Sequence, residues 1–315
     1  MKFINELTEG DNIVGIYLCK QKNTATTKNG KEYDNLTLAD KTGSLNAKIW
    51  EPNGMGIGDF DVNDYIEVHA KVTSFNGALQ MSIDRAFKAS EGSYDPADYL
   101  PVSSKNVNAM YQELLGFVTS VQAPYYRLLL ESIFVDDENF KELFTNHSAA
   151  KSIHHGFVGG LLEHTLSVAK LCDFYCTQYP VLNRDLLISA ALLHDIGKTK
   201  ELSGFPLNDY TDEGQLLGHI IIGIEIVGEK IRAIKGFPQL KADELKHCIA
   251  AHHGEYEFGS PKKPAIVEAV ALNFADNTDA KIEAMSELFT NAKAENASAW
   301  LGYQRIFDSN VRTTD

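Results

Sequence analysis

The sequence predicts two domains in series, a small all-β barrel followed by an all-α domain. Three observations carry this expectation. Residues 11–88 alternate apolar with polar, residues 89–104 have no period, and from about residue 105 the apolar residues recur three and four apart. With 315 residues, 44% of them hydrophobic and 23% charged, the chain is long enough to bury two cores.

Five runs read as strands: "DNIVGIYLCKQK" at 11–22, "KEYDNLTLAD" at 31–40, "SLNAKIWE" at 44–51, "DYIEVHAKVTSF" at 64–75 and "ALQMSIDRAF" at 78–87. Asn76-Gly77 separates the last two and is the favoured pair for a two-residue hairpin turn, whose central residues both need positive φ. Five short strands with no long helix among them suggest a closed barrel. The stretch "LTLADKTGSLNAKIW", leading to a strand pair around "FNG", resembles an OB-fold of the type that binds oligonucleotides. Tyr17, Tyr33, Trp50 and Phe75 are candidate faces for base stacking, and Lys48 and Lys71 candidate phosphate contacts. Each ring could equally fill the barrel interior.

The polar stretch "ASEGSYDPADYLPVSS" carries Pro96, Pro101 and Gly92 and reads as a linker. The expected division is an OB-fold domain at 1–90, a linker at 91–104 and a helical domain at 105–315. Charge agrees with it: residues 1–90 hold 12 acidic and 10 basic side chains, so nearly all of the net −14 lies beyond them. Helical spacing runs through "VNAMYQELLGFVTSV", "PYYRLLLESIF" and "ENFKELF", then through about 157–178, 184–196, 218–234, 241–253 and 264–293, with a short hairpin expected around "KELSGFPLNDYTDEGQLL". Tyr111, Tyr125 and Tyr126 look exposed, suited to covering the helical core or to joining copies in a homo-oligomer.

The net charge of −14 disfavours indiscriminate adhesion to nucleic acid or anionic membrane, so a polyanion must bind locally or through metal ions. The start "MKFINELTEG" lacks a signal-peptide pattern, and no apolar run approaches the roughly eighteen residues of a membrane span. The expected location is the cytoplasm, with no membrane partner. Cys19, Cys172, Cys176 and Cys248 fit neither a disulfide framework nor paired zinc knuckles, and read as reduced thiols.

Ionisable residues stand where a core would be expected. "AALLHDIGKTKEL" at 190–202 ends an apolar helix on His194 and Asp195; His164 shares a helix face with Leu161, Val168 and Leu171; His219 opens "GHIIIGIEIVG"; His252 and His253 close "LKHCIAAHHG"; Asp276 lies one turn from Leu272. Burying one such group alone costs several kcal/mol. A divalent metal satisfies imidazole and carboxylate at once and removes that cost on five helices together. His253 is read as a ligand, as a phosphate contact or as a helix cap before Gly254, and Lys198, one turn after His194, as a catalytic cation beside the scissile phosphate or a solvated lysine past the helix end. His154 and His155 are candidates to line the entrance, while His147 and His247 read as structural or exposed. Mixed imidazole and carboxylate donors suit manganese, iron, cobalt or zinc.

The order His164, His194-Asp195, Asp276 matches the H…HD…D signature of the HD phosphohydrolase superfamily over roughly 150–285, with "GGLLEHTLSVAKL" and "LLHDIGK" specific as a pair. The resemblance implies an all-helical metal-dependent fold. It also implies a two-metal site, since His219 and His252 or His253 fall where two-metal members carry extra histidines, with manganese favoured and Asp195 catalytic. OB-fold, linker and HD domain in about this length resemble the YhaM-type 3′→5′ exoribonucleases of Gram-positive bacteria, which implies single-stranded RNA shortened from the 3′ end, with single-stranded DNA a second candidate substrate. The alternative enzyme reading is an HD-domain hydrolase of a small nucleotide, such as a cyclic dinucleotide, an alarmone or a deoxynucleoside triphosphate. Against cyclic di-GMP, "HHGEYEFGSPKKP" lacks the Gly-Tyr-Pro which that subfamily carries. A binding module with a purely structural metal is the third reading, and it expects cysteine-rich ligands that are absent from this set.

Overall fold

The computed structural model describes every residue except 1, 28, 29, 76, 101, 104, 152–155, 295–298 and 315. His154 and His155, and the first residue of the expected hairpin turn, therefore lie outside the described residues. The chain divides into two compact units, Met1–Pro101 and Val102–Asp315.

The first unit is the expected barrel. Strands β1 (Asn12–Thr26), β2 (Glu32–Asp40), β3 (Gly43–Ile49), β4 (Tyr65–Phe75) and β5 (Ala78–Lys88) close in the order β1-β2-β3-β5-β4. All pairs are antiparallel except β3 with β5, which is the five-stranded OB-fold arrangement. Phe75 pairs with Ala78 and Gly77 takes φ +82°, which only glycine adopts freely, so two residues turn the β4–β5 hairpin. Alternate residues of each strand point inward. Tyr17, Leu36, Ile49, Ile66, Val72 and Met81 are among those that fill the interior.

Residues 94–100, inside the stretch expected to link the domains, lie on the barrel. Tyr94 stacks on Tyr65 at a ring-centroid distance of 4.0 Å, Tyr99 meets Tyr65 edge-on, and Leu100 is buried. The polar composition of 89–104 concealed two tyrosines that had the ring of Tyr65 to cover.

The second unit contains α1 (Val107–Ser120), α2 (Pro124–Phe134), α3 (Glu138–Asn146), α4 (Gly160–Gln178), α5 (Arg184–Leu193), α6 (Lys198–Glu201), α7 (Asp212–Ala233), α8 (Gln239–Ala251) and α9 (Val267–Ala294), followed by a small hairpin of β6 (Trp300–Gln304) and β7 (Ser309–Arg312). Caps set the starts: the side chains of Asn106, Asp137, Asn183 and Thr211 each accept a backbone N–H in the first turn of α1, α3, α5 and α7. Pro124 begins α2, where its missing N–H costs nothing. Helix α5 is the central element. Every residue from Leu186 to Leu193 is buried, against α1, α2, α4, α8 and α9. Whatever ends this helix is delivered to the middle of the domain.

Tyr111 and Tyr126 are buried, contrary to the expected exposure; Tyr111 donates to the Phe134 carbonyl and Tyr126 to that of Lys241. They cover the helical core because a phenol can bury its ring and still satisfy its hydroxyl. Tyr125 is half-buried and packs on Phe237. The expected hairpin at 200–217 is instead the end of α6, a loop closed by a bridge between Leu202 and Tyr210, and the start of α7. The β6–β7 hairpin had no counterpart in the sequence reading. Cys19, Cys172, Cys176 and Cys248 are free thiols. Among the described residues, no helix is long and apolar enough to cross a membrane.

Candidate metal centre

Two glycines explain how loops converge at the end of α5. A Cβ on Gly197 would lie 2.0 Å from the His219 carbonyl oxygen, so only glycine lets the chain after Asp195 touch α7. Helix α7 kinks at Gly218, which takes φ +73°. The kink frees the backbone N–H of His219, which donates to Glu201 Oε1 at 3.0 Å.

These contacts gather all the candidate ligands around one carboxylate. Asp195 Oδ2 lies 3.4 Å from His164 Nε2 and 3.4 Å from His194 Nε2, while Asp195 Oδ1 lies 3.5 Å from His219 Nε2 and 3.7 Å from His252 Nε2. Asp276 Oδ1 stands 3.2 Å from His164 Nε2 and 4.0 Å from His194 Nε2. The donors form two sets, His164 with His194 and Asp276, and His219 with His252 and His253, each with donor atoms within 4.8 Å of one another. Asp195 offers one oxygen to each set.

Each imidazole is turned by its other nitrogen. His194 Nδ1 meets the Ala191 carbonyl at 2.8 Å, His252 Nδ1 that of Ile249 at 2.7 Å, and His253 Nδ1 that of Phe258 at 2.8 Å. A carbonyl only accepts, so Nδ1 carries the hydrogen and Nε2 presents its lone pair inward. For His219 the partner is Glu201 Oε1 at 3.0 Å, and for His164 it is Asp279 Oδ2 at 2.7 Å. Asp195 Oδ1, His219 Nε2 and His252 Nε2 are buried atoms with no hydrogen-bond partner. Orphans of this kind cost about 1–3 kcal/mol each. A divalent cation fits these residues because it satisfies them all.

Electrostatics point the same way. Burial alone would raise the Asp195 carboxyl, but Lys198 and His194 hold it well below the usual range. Burial likewise opposes ionisation of Asp276, and His164 more than offsets it, leaving the carboxyl well below its ordinary value. Burial pushes His164 down, yet Asp195, Asp276 and Asp279 outweigh it and hold the imidazole well above its usual value. The carboxylates here call for positive charge. In the other set burial dominates: it lowers His252 well below the ordinary range, aided by His253 and His194, and lowers His253 with help from His219. Neutral imidazoles are the form that binds metal.

Lys198 is not directed at open space. Its ammonium sits 2.6 Å from Asp195 Oδ2, and this ion pair keeps its proton despite burial. His147 is buried and structural, its nitrogens at the Ser148 and Leu202 carbonyls, and His247 accepts the Ala265 N–H. Sequence reasoning missed Asp279 and Glu201. Asp279 was findable, since it lies three residues after Asp276 on the same face of α9; nothing local marked Glu201, which meets His219 across eighteen residues. Replacing Asp279 by Asn should leave the fold intact and weaken metal affinity by about 10–100-fold, as measured by titration calorimetry. Unchanged affinity would mean that Asp279 does not orient His164.

On the barrel, Tyr17 is fully buried and its hydroxyl donates to the Lys2 carbonyl at 2.8 Å, with burial pushing the phenol up to about 12. It is a core residue and offers no face to a base. Tyr33, Lys48, Trp50 and Phe75 do come together. The Lys48 ammonium lies 5.4, 5.3 and 5.5 Å from the ring centroids of Tyr33, Trp50 and Phe75. Tyr33, Lys48 and Phe75 line a groove of about 390 Å³ with Asn35, Asn46 and Gln80. Lys71 pairs with Ser82, which pairs with Lys48, so the two lysines occupy one rung of the sheet with β5 between them.

A helical domain that collects His164, His194-Asp195 and Asp276 around one point, preceded by an OB-fold barrel, defines an HD-domain protein with an N-terminal OB-fold. Residues 161–281 match the HD domain family. The 3′-5′ exoribonuclease YhaM of a Geobacillus species is 31% identical over 287 residues, spanning 90% of this chain and 87% of the relative. YhaM of Bacillus velezensis is 32% identical over 288 residues, 90% of each. The chain belongs to the YhaM family of 3′-5′ exoribonucleases. Among solved structures, the second OB-fold domain of replication protein A from Methanococcus maripaludis is similar at 23% identity, with a TM-score of 0.23, covering 29% of this chain and 96% of that one.

Proposed function

We propose that this protein shortens single-stranded RNA from the 3′ end by hydrolysis at two divalent ions, with single-stranded DNA as a second substrate. The observation that carries the two-ion reading is Asp195, whose two oxygens face separate sets of inward-pointing donors. The 3′ direction rests on the relatives, which are 3′-5′ exoribonucleases.

His164, His194 and Asp276 would hold one ion and His219, His252 and His253 the other, with Asp195 between them. Two such cations, when bound, lower the pKa of a water and offset the charge that builds on a phosphodiester. This donor set suits manganese, our choice, or iron, cobalt or zinc better than magnesium, which prefers oxygen. Lys198 fixes the orientation of Asp195 and compensates the carboxylate charge at the centre. Purified protein with manganese and a 5′-labelled oligoribonucleotide should produce a ladder descending from the 3′ end. No shortening with manganese, cobalt or zinc would overturn the reading.

The barrel groove holds the strand through the Tyr33, Trp50 and Phe75 rings, with Lys48 and Lys71 at the phosphates. Stacking of this kind is worth about 1–3 kcal/mol per base. Phe75→Ala should weaken single-stranded RNA binding by roughly that amount in fluorescence anisotropy under chelating conditions, and Tyr17→Phe should not. Equal affinities for Phe75→Ala and the unaltered protein would remove this face as the binding site.

A further inference from the structure

A cleft of about 890 Å³ opens beside the ligand sets, with His253 and Asp276 in its wall. Metal binding does not account for the rest of that wall. Phe274, Asn277 and Lys281 follow one another at three- and four-residue spacing on α9, so they form a stripe adjoining Asp276. Phe274 is 58% exposed and Phe258, which also lines the cleft, 65% exposed. Phe258 is tied to the centre, since its carbonyl holds His253 Nδ1. Two exposed phenyl rings share one cleft with the candidate metal ligands His253 and Asp276, and apolar faces gathered in a cleft mark a ligand surface rather than scattered exposure.

The charges of the cleft are also unequal in availability. Glu255 and Lys263 are paired with each other, while Lys281 makes no ion pair among the described residues. Asn273, the other amide in the wall, already donates its Nδ2 to the His252 carbonyl at 2.7 Å. The cleft therefore offers apolar faces and a free cation, with few groups able to read the edge of a base.

We propose that Phe274 and Phe258 form a stacking subsite for the base of the strand's terminal nucleoside, with its phosphate over the ligand sets and Lys281 available to the neighbouring phosphate. The inference rests on the exoribonuclease reading. Stacking accepts every base because each has a π-face, which matches an enzyme that must remove whichever nucleotide comes last.

The test compares two 5′-labelled oligoribonucleotides that differ only in whether the 3′-terminal ribose carries its base. With manganese, the unaltered full-length protein should shorten the intact strand with roughly tenfold higher kcat/KM. Phe274→Ala should lose that preference, taking both strands at a similarly lowered rate, with metal content and circular dichroism unchanged. Phe274→Tyr should restore it. Equal treatment of the two strands by the unaltered protein, or a full preference in Phe274→Ala, overturns the subsite while leaving the exoribonuclease reading in place. If neither strand is shortened, that reading itself falls and the subsite with it.

Discussion

Asp195→Asn should reduce exonuclease turnover on the order of 10³-fold, because losing the charge shared by both donor sets removes several kcal/mol of transition-state stabilisation. Asparagine keeps the volume and one acceptor for Lys198, whose ammonium otherwise sits 2.6 Å from Asp195 Oδ2. It cannot offer an anionic oxygen to His164 and His194 on one side and to His219 and His252 on the other. Metal analysis of the purified variant should show lowered content. The affinity proposed for single-stranded RNA at the barrel should be retained, because Tyr33, Lys48, Trp50 and Phe75 belong to the other compact unit. A variant that turns over substrate at near the original rate would show that Asp195 is no part of the reacting centre.

Metal should also stabilise the helical domain. In its absence Asp195 Oδ1, His219 Nε2 and His252 Nε2 are buried without partners, and the unfolded chain returns those atoms to water. A ligand that binds only the folded form adds about 2.7 kcal/mol at a hundredfold excess over its dissociation constant. For a domain of this size that corresponds to a rise in unfolding midpoint of roughly 5–10 °C. Differential scanning calorimetry of chelator-treated protein, with and without manganese, measures it. The increment should shrink in His219→Ala combined with His252→Ala, which leaves only the His164, His194 and Asp276 set. A midpoint indifferent to manganese, cobalt and zinc would mean that the donors do not form a cation site.

The periodic parts of the fold were legible because their chemistry is local. Alternation placed four strands of the barrel to within two residues and β1 four residues short at its end, and three- and four-residue spacing placed α4, α5, α8 and α9 to within a few positions. Where burial depended on a distant surface, local pattern misled. Tyr17, which could serve as a stacking face or fill the interior, is fully buried; Tyr111 and Tyr126 look like surface aromatics and lie in the helical core. The segment 94–100 is polar in composition, yet Tyr94 and Tyr99 pack on Tyr65 of the barrel.

The centre divides along the same line. The sequence alone singled out His164, His194, Asp195, His219, His252 and Asp276 as candidate ligands, since they stand on apolar helices where an unpaired polar group is costly, and that cost is a property of residue type and position. The partition of those donors into two sets about Asp195, the turning of each imidazole by a carbonyl or by Glu201 and Asp279, and the tethering of Lys198 were decided only by tertiary structure. They depend on approaches between segments far apart in the chain, such as Gly197 against His219 and α9 against α4. A distance of three ångströms between residues a hundred positions apart leaves no periodic trace in either segment.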